Sequence, residues 1–154
     1  MSGFTAQLEV IYCDDVRTEN TGKKIHVGVY SSALLLSEIP AKLPTFMVLI
    51  KLAMAAAYVP KESIRFVLLL DDKVLFEQEL APEMVQEIPS QIKGEGGIAC
   101  ANVELRFQGF DIENAGTLRV RAYVDGTEYR GLALDIRQSG NLREAIAAVA
   151  EIRG

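Results

Sequence analysis

In the C-terminal half of the chain, apolar residues occupy every second position through three successive stretches: Val103, Leu105 and Phe107; then Leu118, Val120, Ala122 and Val124; then Leu132, Leu134 and Ile136. A period of two marks a strand with one dry face, whereas a helix repeats its buried face every 3.6 residues. The alternate positions carry Glu104, Arg106, Arg119, Arg121, Glu128, Arg130, Asp135 and Arg137. Those faces meet water, and their mixed signs can pair across strands. Such a sheet is stable only if a second layer covers its dry side.

The same reading along the whole chain predicts strands at about 6–13, 24–32, 45–53, 63–70, 73–79, 98–108, 116–125 and 127–137. Phe46, Val48 and Ile50 alternate with Met47 and Leu49, so both faces of that strand are apolar, as they are around Val67–Leu70. These strands are central or covered. Asp71-Asp72 and Asp125-Gly126 read as two-residue hairpin turns, the second suited to a type I′ turn because both of its central residues must take positive φ. The segments 33–39 and 54–62 are each expected to add a short helical turn, and KGEGG (Lys93–Gly97) reads as a flexible connection.

At the C-terminus, Asn141 stands before Leu142 with Glu144 close behind, an N-cap arrangement, and Leu142, Ile146, Val149 and Ile152 recur at helical spacing. A helix is expected from about 142 to 152, its stripe either packed on the sheets or offered to a partner or second copy. The fold class is therefore mainly β: an antiparallel β-sandwich of about eight strands with a C2- or immunoglobulin-like layout and one C-terminal α-helix. With 154 residues, a single domain is expected, the sandwich over about 6–137 and the helical segment over about 141–153.

Charge narrows the partners. Sixteen Lys and Arg against twenty-one Asp and Glu leave −5, the wrong sign for neutralising phosphates, so neither nucleic acid nor constitutive binding to an anionic membrane is expected. The first residues lack the basic start and apolar core of a signal peptide, and the most apolar stretch, Phe46–Val59, is interrupted by Lys51. A cytoplasmic protein is expected, with Cys13 and Cys100 as reduced thiols.

Few residues offer chemistry. His26 is the only histidine and sits on a predicted strand without a nucleophile nearby in sequence. Cys13 adjoins Asp14, and a neighbouring carboxylate makes a thiolate scarcer. Two cysteines and one histidine, far apart, do not make a zinc site. The acidic residues carry more: Asp14, Asp15, Glu19, Asp71, Asp72, Asp111, Glu113 and Asp125 fall at predicted strand ends. If every connection reverses direction, Asp14 and Asp15 can meet Asp125 at one end, and Asp71 and Asp72 can meet Asp111 and Glu113 at the other. A calcium-dependent, C2-like domain with Asp14, Asp15 and Asp125 as ligands is one reading. Turn formation and edge protection by the same residues is the other. A carboxylate-only glycosidase is disfavoured by the absence of Trp, because aromatic faces supply much of sugar stacking.

Residues 8–30 read LEVIYCDDVRTENTGKKIHVGVY. An apolar strand leads into Cys13-Asp14-Asp15-x-Arg17, then a polar loop with Gly22 and Lys23, then a strand closing on Gly28-x-Tyr30. This order resembles a small family of uncharacterised bacterial β-sandwich proteins, a domain of unknown function, and the likeness continues through IPAKLPTF and RVRAYVDGTEYRGLALDI over about 8–137. The resemblance implies a β-sandwich, implies no activity or cofactor, and singles out Asp14, Asp15 and Arg17, for which a buried ion pair pinning the first loop is the structural reading. The leading functional expectation is a non-enzymatic protein-binding or assembly module, with Leu142, Ile146, Val149 and Ile152 as its candidate interface.

Overall fold

A computed structural model describes residues 5–55, 60–91 and 97–139. Among these described residues ten strands follow one another as β1 (Ala6–Thr18), β2 (Lys24–Tyr30), β3 (Ala33–Leu36), β4 (Ala41–Ala55), β5 (Ile64–Leu70), β6 (Lys73–Glu79), β7 (Ile98–Ile112), β8 (Gly116–Val124), β9 (Thr127–Arg130) and β10 (Leu134–Gln138), with one short helix, α1 (Pro82–Glu87), before β7. One sheet has the order β2-β1-β4-β7, and the other β3-β10-β8-β5-β6 with β9 also paired to β8. All pairings are antiparallel except β3 with β10.

The alternation places the core. Leu8, Val10 and Tyr12 of β1 and Phe46, Val48, Ile50, Leu52 and Met54 of β4 join Phe66 and Leu68 of β5, Leu118, Val120 and Ala122 of β8, and Leu134 and Ile136 of β10 in one buried cluster. Phe46 is wholly buried, with its ring centroid 4.9 Å from that of Phe110 and 6.1 to 6.4 Å from those of Tyr12, Tyr30 and Phe107. On the opposite face of the second sheet, Glu128 stands between Arg121 and Arg130 at 3.3 and 2.9 Å, as the alternation predicts, and Arg65 meets Glu77 at 2.6 Å and lies over the Tyr123 ring.

Several expectations are corrected. Residues 33–36 form a strand where a helical turn is expected, because Leu34 buries itself in the core while its backbone runs parallel to Ile136. Met54 and Ala55 continue β4, residues 60–62 are not helical, and 56–59 lie outside the described residues. The connection between the expected strands 73–79 and 98–108 contains α1 and a 3-10 turn at Ile88–Gln91, held by the burial of Val85 and Ile88. Of KGEGG, all but Gly97 lies outside the described residues, and so does the expected C-terminal helix with Leu142, Ile146, Val149 and Ile152.

The expected strand 127–137 is two strands, β9 and β10, both along the same edge of β8. Asp125 and Gly126 both take positive φ, as the type I′ reading requires. Between β9 and β10 the other sheet intrudes. A Cβ on Gly131 would run into the Val10 side chain, and the hydroxyl of buried Tyr12 donates to the Leu132 carbonyl at 2.6 Å. Leu132, expected to face inward with Leu134 and Ile136, therefore turns out to 52% exposure.

Gly131→Ala is expected to destabilise the protein by about 1–3 kcal/mol through overpacking against Val10. Val10→Ala opens that space, so the double variant should be less destabilised than the sum of the single ones. Chemical denaturation of the four proteins measures the coupling; strict additivity would show that the two side chains do not compete for one volume.

Candidate functional site

The four-stranded sheet builds a cleft on its outer face from register alone. Glu9 of β1 pairs with Lys51 of β4, which pairs with Asn102 of β7; one step along, Ile11 pairs with Leu49 and Leu49 with Glu104; one step further, Cys13 pairs with Met47 and Met47 with Arg106. Alternation puts these rows on the face opposite Leu8, Val10 and Tyr12. The floor thus passes from a charged row to an apolar row to a row closed by Arg106.

The cover comes from the same strand. Pairing of β1 with β4 stops at Cys13 and Met47, but pairing of β1 with β2 continues to Thr18 and Lys24. Beyond Cys13 the β1–β2 hairpin is a separate ribbon that folds back over the floor. Its course shows in an ion pair between Lys24 and Glu104, 3.9 Å apart. Strands β2 and β7 are the two edges of their sheet, about 14 Å apart if the sheet lay flat. Underneath the ribbon, Cys13, Val16 and Met47 form a small buried cluster with Ile11 and Leu49 against it.

The bend lies at Asp14 and Gly28, where the ladder is interrupted for one pair while the register on either side stays the same. Gly28 takes φ +66°, and a Cβ there would collide with the Asp14 carboxylate. Only glycine meets both conditions. Asp14 accepts a hydrogen bond from the Tyr30 hydroxyl, and burial, followed by this carboxylate, pushes the Tyr30 phenol far above its usual range. Burial is also the main reason the Cys13 thiol is raised, with Asp14 and Asp15 adding to it. Cys13 is fully buried in the small cluster with Val16 and Met47.

Arg106 ties the ribbon down from the far strand. Its guanidinium donates to the Asp15 carboxylate at 3.0 Å and to the Val16 carbonyl at 3.4 Å. The hydrogen bond from Arg106 is the chief cause holding the Asp15 carboxyl below its usual range. The expected group Asp14, Asp15 and Arg17 is therefore divided. Arg17 reaches Asp15 more loosely, at 3.8 Å, Asp14 turns to Tyr30, and all three lie within β1 rather than in a loop. The Asp15–Arg106 pair is 34% and 44% exposed, so it is not the buried pair expected. Nothing in the sequence marked Arg106 as a partner, since it stands ninety-one residues from Asp15.

Between hairpin and sheet lies a cleft of about 330 Å³ whose walls include Lys24 and His26 and whose floor is Glu9, Ile11, Leu49, Lys51, Asn102 and Glu104. His26, opposite Val16 on the ribbon's underside, sits at its mouth, a role not expected from the sequence.

Asp125 and Asp71 serve turns, while Asp111, within β7, stands 3.6 Å from the Lys42 ammonium. Asp125 accepts from the backbone N–H groups of Lys61, Glu62 and Ser63 at 2.8 to 2.9 Å. Burial works to raise its pKa, yet these three donors outweigh it and leave Asp125 below its usual range. Asp71 takes positive φ and accepts from the Thr117 N–H at 3.1 Å. Asp71, without Asp72, lines a surface pocket together with Asp111 and Glu113 as expected. The added strand β3, however, makes β1 antiparallel to β4, so the end of β1 that carries Asp14 and Asp15 points away from Asp125. Asp14, Asp15 and Asp125 have separate partners, and among the described residues no three of His, Cys, Asp and Glu converge as metal ligands.

The depressed carboxyls set an acid limb. Asp15 and Asp125 bind protons less readily folded than unfolded, so their stabilisation is complete above the unfolded value of about 3.9 and is lost as pH falls through the lower folded value. Melting temperature should therefore drop between about pH 5 and pH 2, and Asp125→Ala should cost about 1–2 kcal/mol at neutral pH while flattening that limb. An acid limb identical in the wild type and this variant would remove Asp125 as a contributor.

No curated protein matches the chain. The sequence pattern of a family of unknown function, DUF6941, matches residues 9–137. That span begins at the first residue of the cleft floor and ends within β10, covering both sheets, the hairpin and its bend. The chain belongs to this family of unknown function.

Proposed function

We propose that the chain is a non-enzymatic assembly module, a β-sandwich of C2- or immunoglobulin-like layout that binds a second copy of itself through β2 and works in the bacterial cytoplasm. The observation that carries this reading is the edge strand. β2 is paired on one side only, and Ile25, Val27 and Val29 stand 44%, 38% and 56% exposed along it. Edge strands normally carry charge or proline to prevent chance pairing; β2 carries one lysine, at its end.

A second copy fits this edge by symmetry. In an antiparallel pair about a two-fold axis at Val27, Ile25 faces Val29 of the other copy, Val27 faces itself, and Lys24 faces Tyr30, whose hydroxyl holds the Asp14 carboxylate. Apolar residues meet apolar ones along the shared edge. The two hairpins then join edge to edge as one four-stranded ribbon. The convergence of residues from both sheets on one core supports the sandwich layout. The two unpaired thiols, Cys13 and Cys100, suit a reducing compartment.

The solution mass is expected to be twice 16.9 kDa at micromolar concentration. Val27→Lys brings two ammonium groups together at the axis and should yield a monomer with an unchanged far-ultraviolet spectrum. A wild-type protein that stays monomeric up to about 1 mM overturns the proposal.

A further inference from the structure

The cleft beneath the hairpin carries an inference independent of self-association. Glu9 and Lys51 face each other across β1 and β4, yet among the described residues neither has an ion-pair partner within 4 Å. Lys24 and Glu104, by contrast, are joined, and Lys24 also donates to the Thr18 hydroxyl at 2.9 Å. The cleft thus presents one free carboxylate and one free ammonium side by side, with the Asn102 carboxamide beyond Lys51 and the apolar Ile11–Leu49 row one step away, about 7 Å along the strands.

We infer that this cleft binds a small zwitterion with an aliphatic body, an α-amino acid of the leucine type. Its ammonium meets Glu9, its carboxylate meets Lys51 and Asn102, and its side chain lies on Ile11 and Leu49 under the hairpin. Simpler ligands fit less well. A bare anion meets Glu9 and Glu104, a bare cation meets Lys24 and Lys51, and a purely apolar ligand strips water from Glu9 and Lys51 without replacing it. Only a dipolar head answers both charges. The volume of about 330 Å³ lies at the small end for ligand cavities and suits a single amino acid rather than a cofactor.

His26, the only histidine in the chain, lines the same cleft and supplies a built-in probe. Its ring protons, followed by NMR on the full-length protein, should shift saturably as L-leucine is added. Isocaproate, which lacks the ammonium, and isoamylamine, which lacks the carboxylate, should each need at least about tenfold more for half-saturation, as should leucine itself with Glu9→Gln or Lys51→Met. Both substituted positions lie on the outer face of the sheet, and an unchanged far-ultraviolet spectrum and melting temperature show that the fold is kept. The dimer-breaking Val27→Lys protein should bind leucine as the wild type does, which separates this site from the assembly surface. No saturable shift up to about 10 mM leucine, or isocaproate binding as well as leucine, overturns the inference.

Discussion

One strand serves two purposes, and the exchange between them rests on a single crossing. Up to Tyr12, β1 is an inner strand that buries Leu8, Val10 and Tyr12; from Asp14 onward it is half of a ribbon lying over the outside of its own sheet. Gly28, without a side chain, lets the Asp14 carboxylate occupy the inside of the bend. The Tyr30 hydroxyl then satisfies that carboxylate, and the Tyr30 ring joins the group around Phe46. The turn of the ribbon is thereby fastened to the hydrophobic core. The outer cleft exists because this bend exists.

Aspartate repeats this role elsewhere. Asp71 sits so close to Gly116 that a Cβ there would lie 2.6 Å from its carboxylate, and Asp125 gathers three backbone N–H groups of the segment before β5. In each case a short side chain with two acceptors satisfies backbone or hydroxyl donors that a turn leaves unpaired. Asp14, Asp71 and Asp125 therefore act one by one as internal braces. A cation would have to compete with donors already in place.

Much of the architecture was legible because it depends on period two. The alternation in β7 and β8 states which side chains are buried, and Asp125-Gly126 specifies its turn through the φ values it permits. What stayed hidden depends on distance in sequence or on a change of phase within a strand. Leu132 continues the alternation of Leu134 and Ile136 on paper, but Val10 and Tyr12 of the other sheet occupy that place, and no local pattern reports a neighbour more than a hundred residues away. The run Ala33–Leu36 suits a helix or a strand equally, and its pairing with β10 decides. Arg106 alternates correctly as an outward residue; that its guanidinium spans to Asp15 follows from the ribbon folding back. The cleft was illegible for the same reason: Leu49 read as part of a covered strand and Glu104 as part of a solvated face, and that the hairpin supplies the cover follows only from the ribbon folding back.

The gap between β9 and β10 gives the two sheets the mechanics of a lock. Packed sheets of aliphatic side chains resist separation well but have little to oppose sliding, because the dispersion attraction given up at one position is regained at the next. Here Val10 sits in the recess left by Gly131, and the Tyr12 hydroxyl grips a carbonyl beside it. Movement of one sheet along the other must lift a side chain out of a notch and leave a hydroxyl without a partner. Shear is blocked at one point near the middle of β1, so a pull on the edge strand β2 is passed to the whole body instead of slipping the layers.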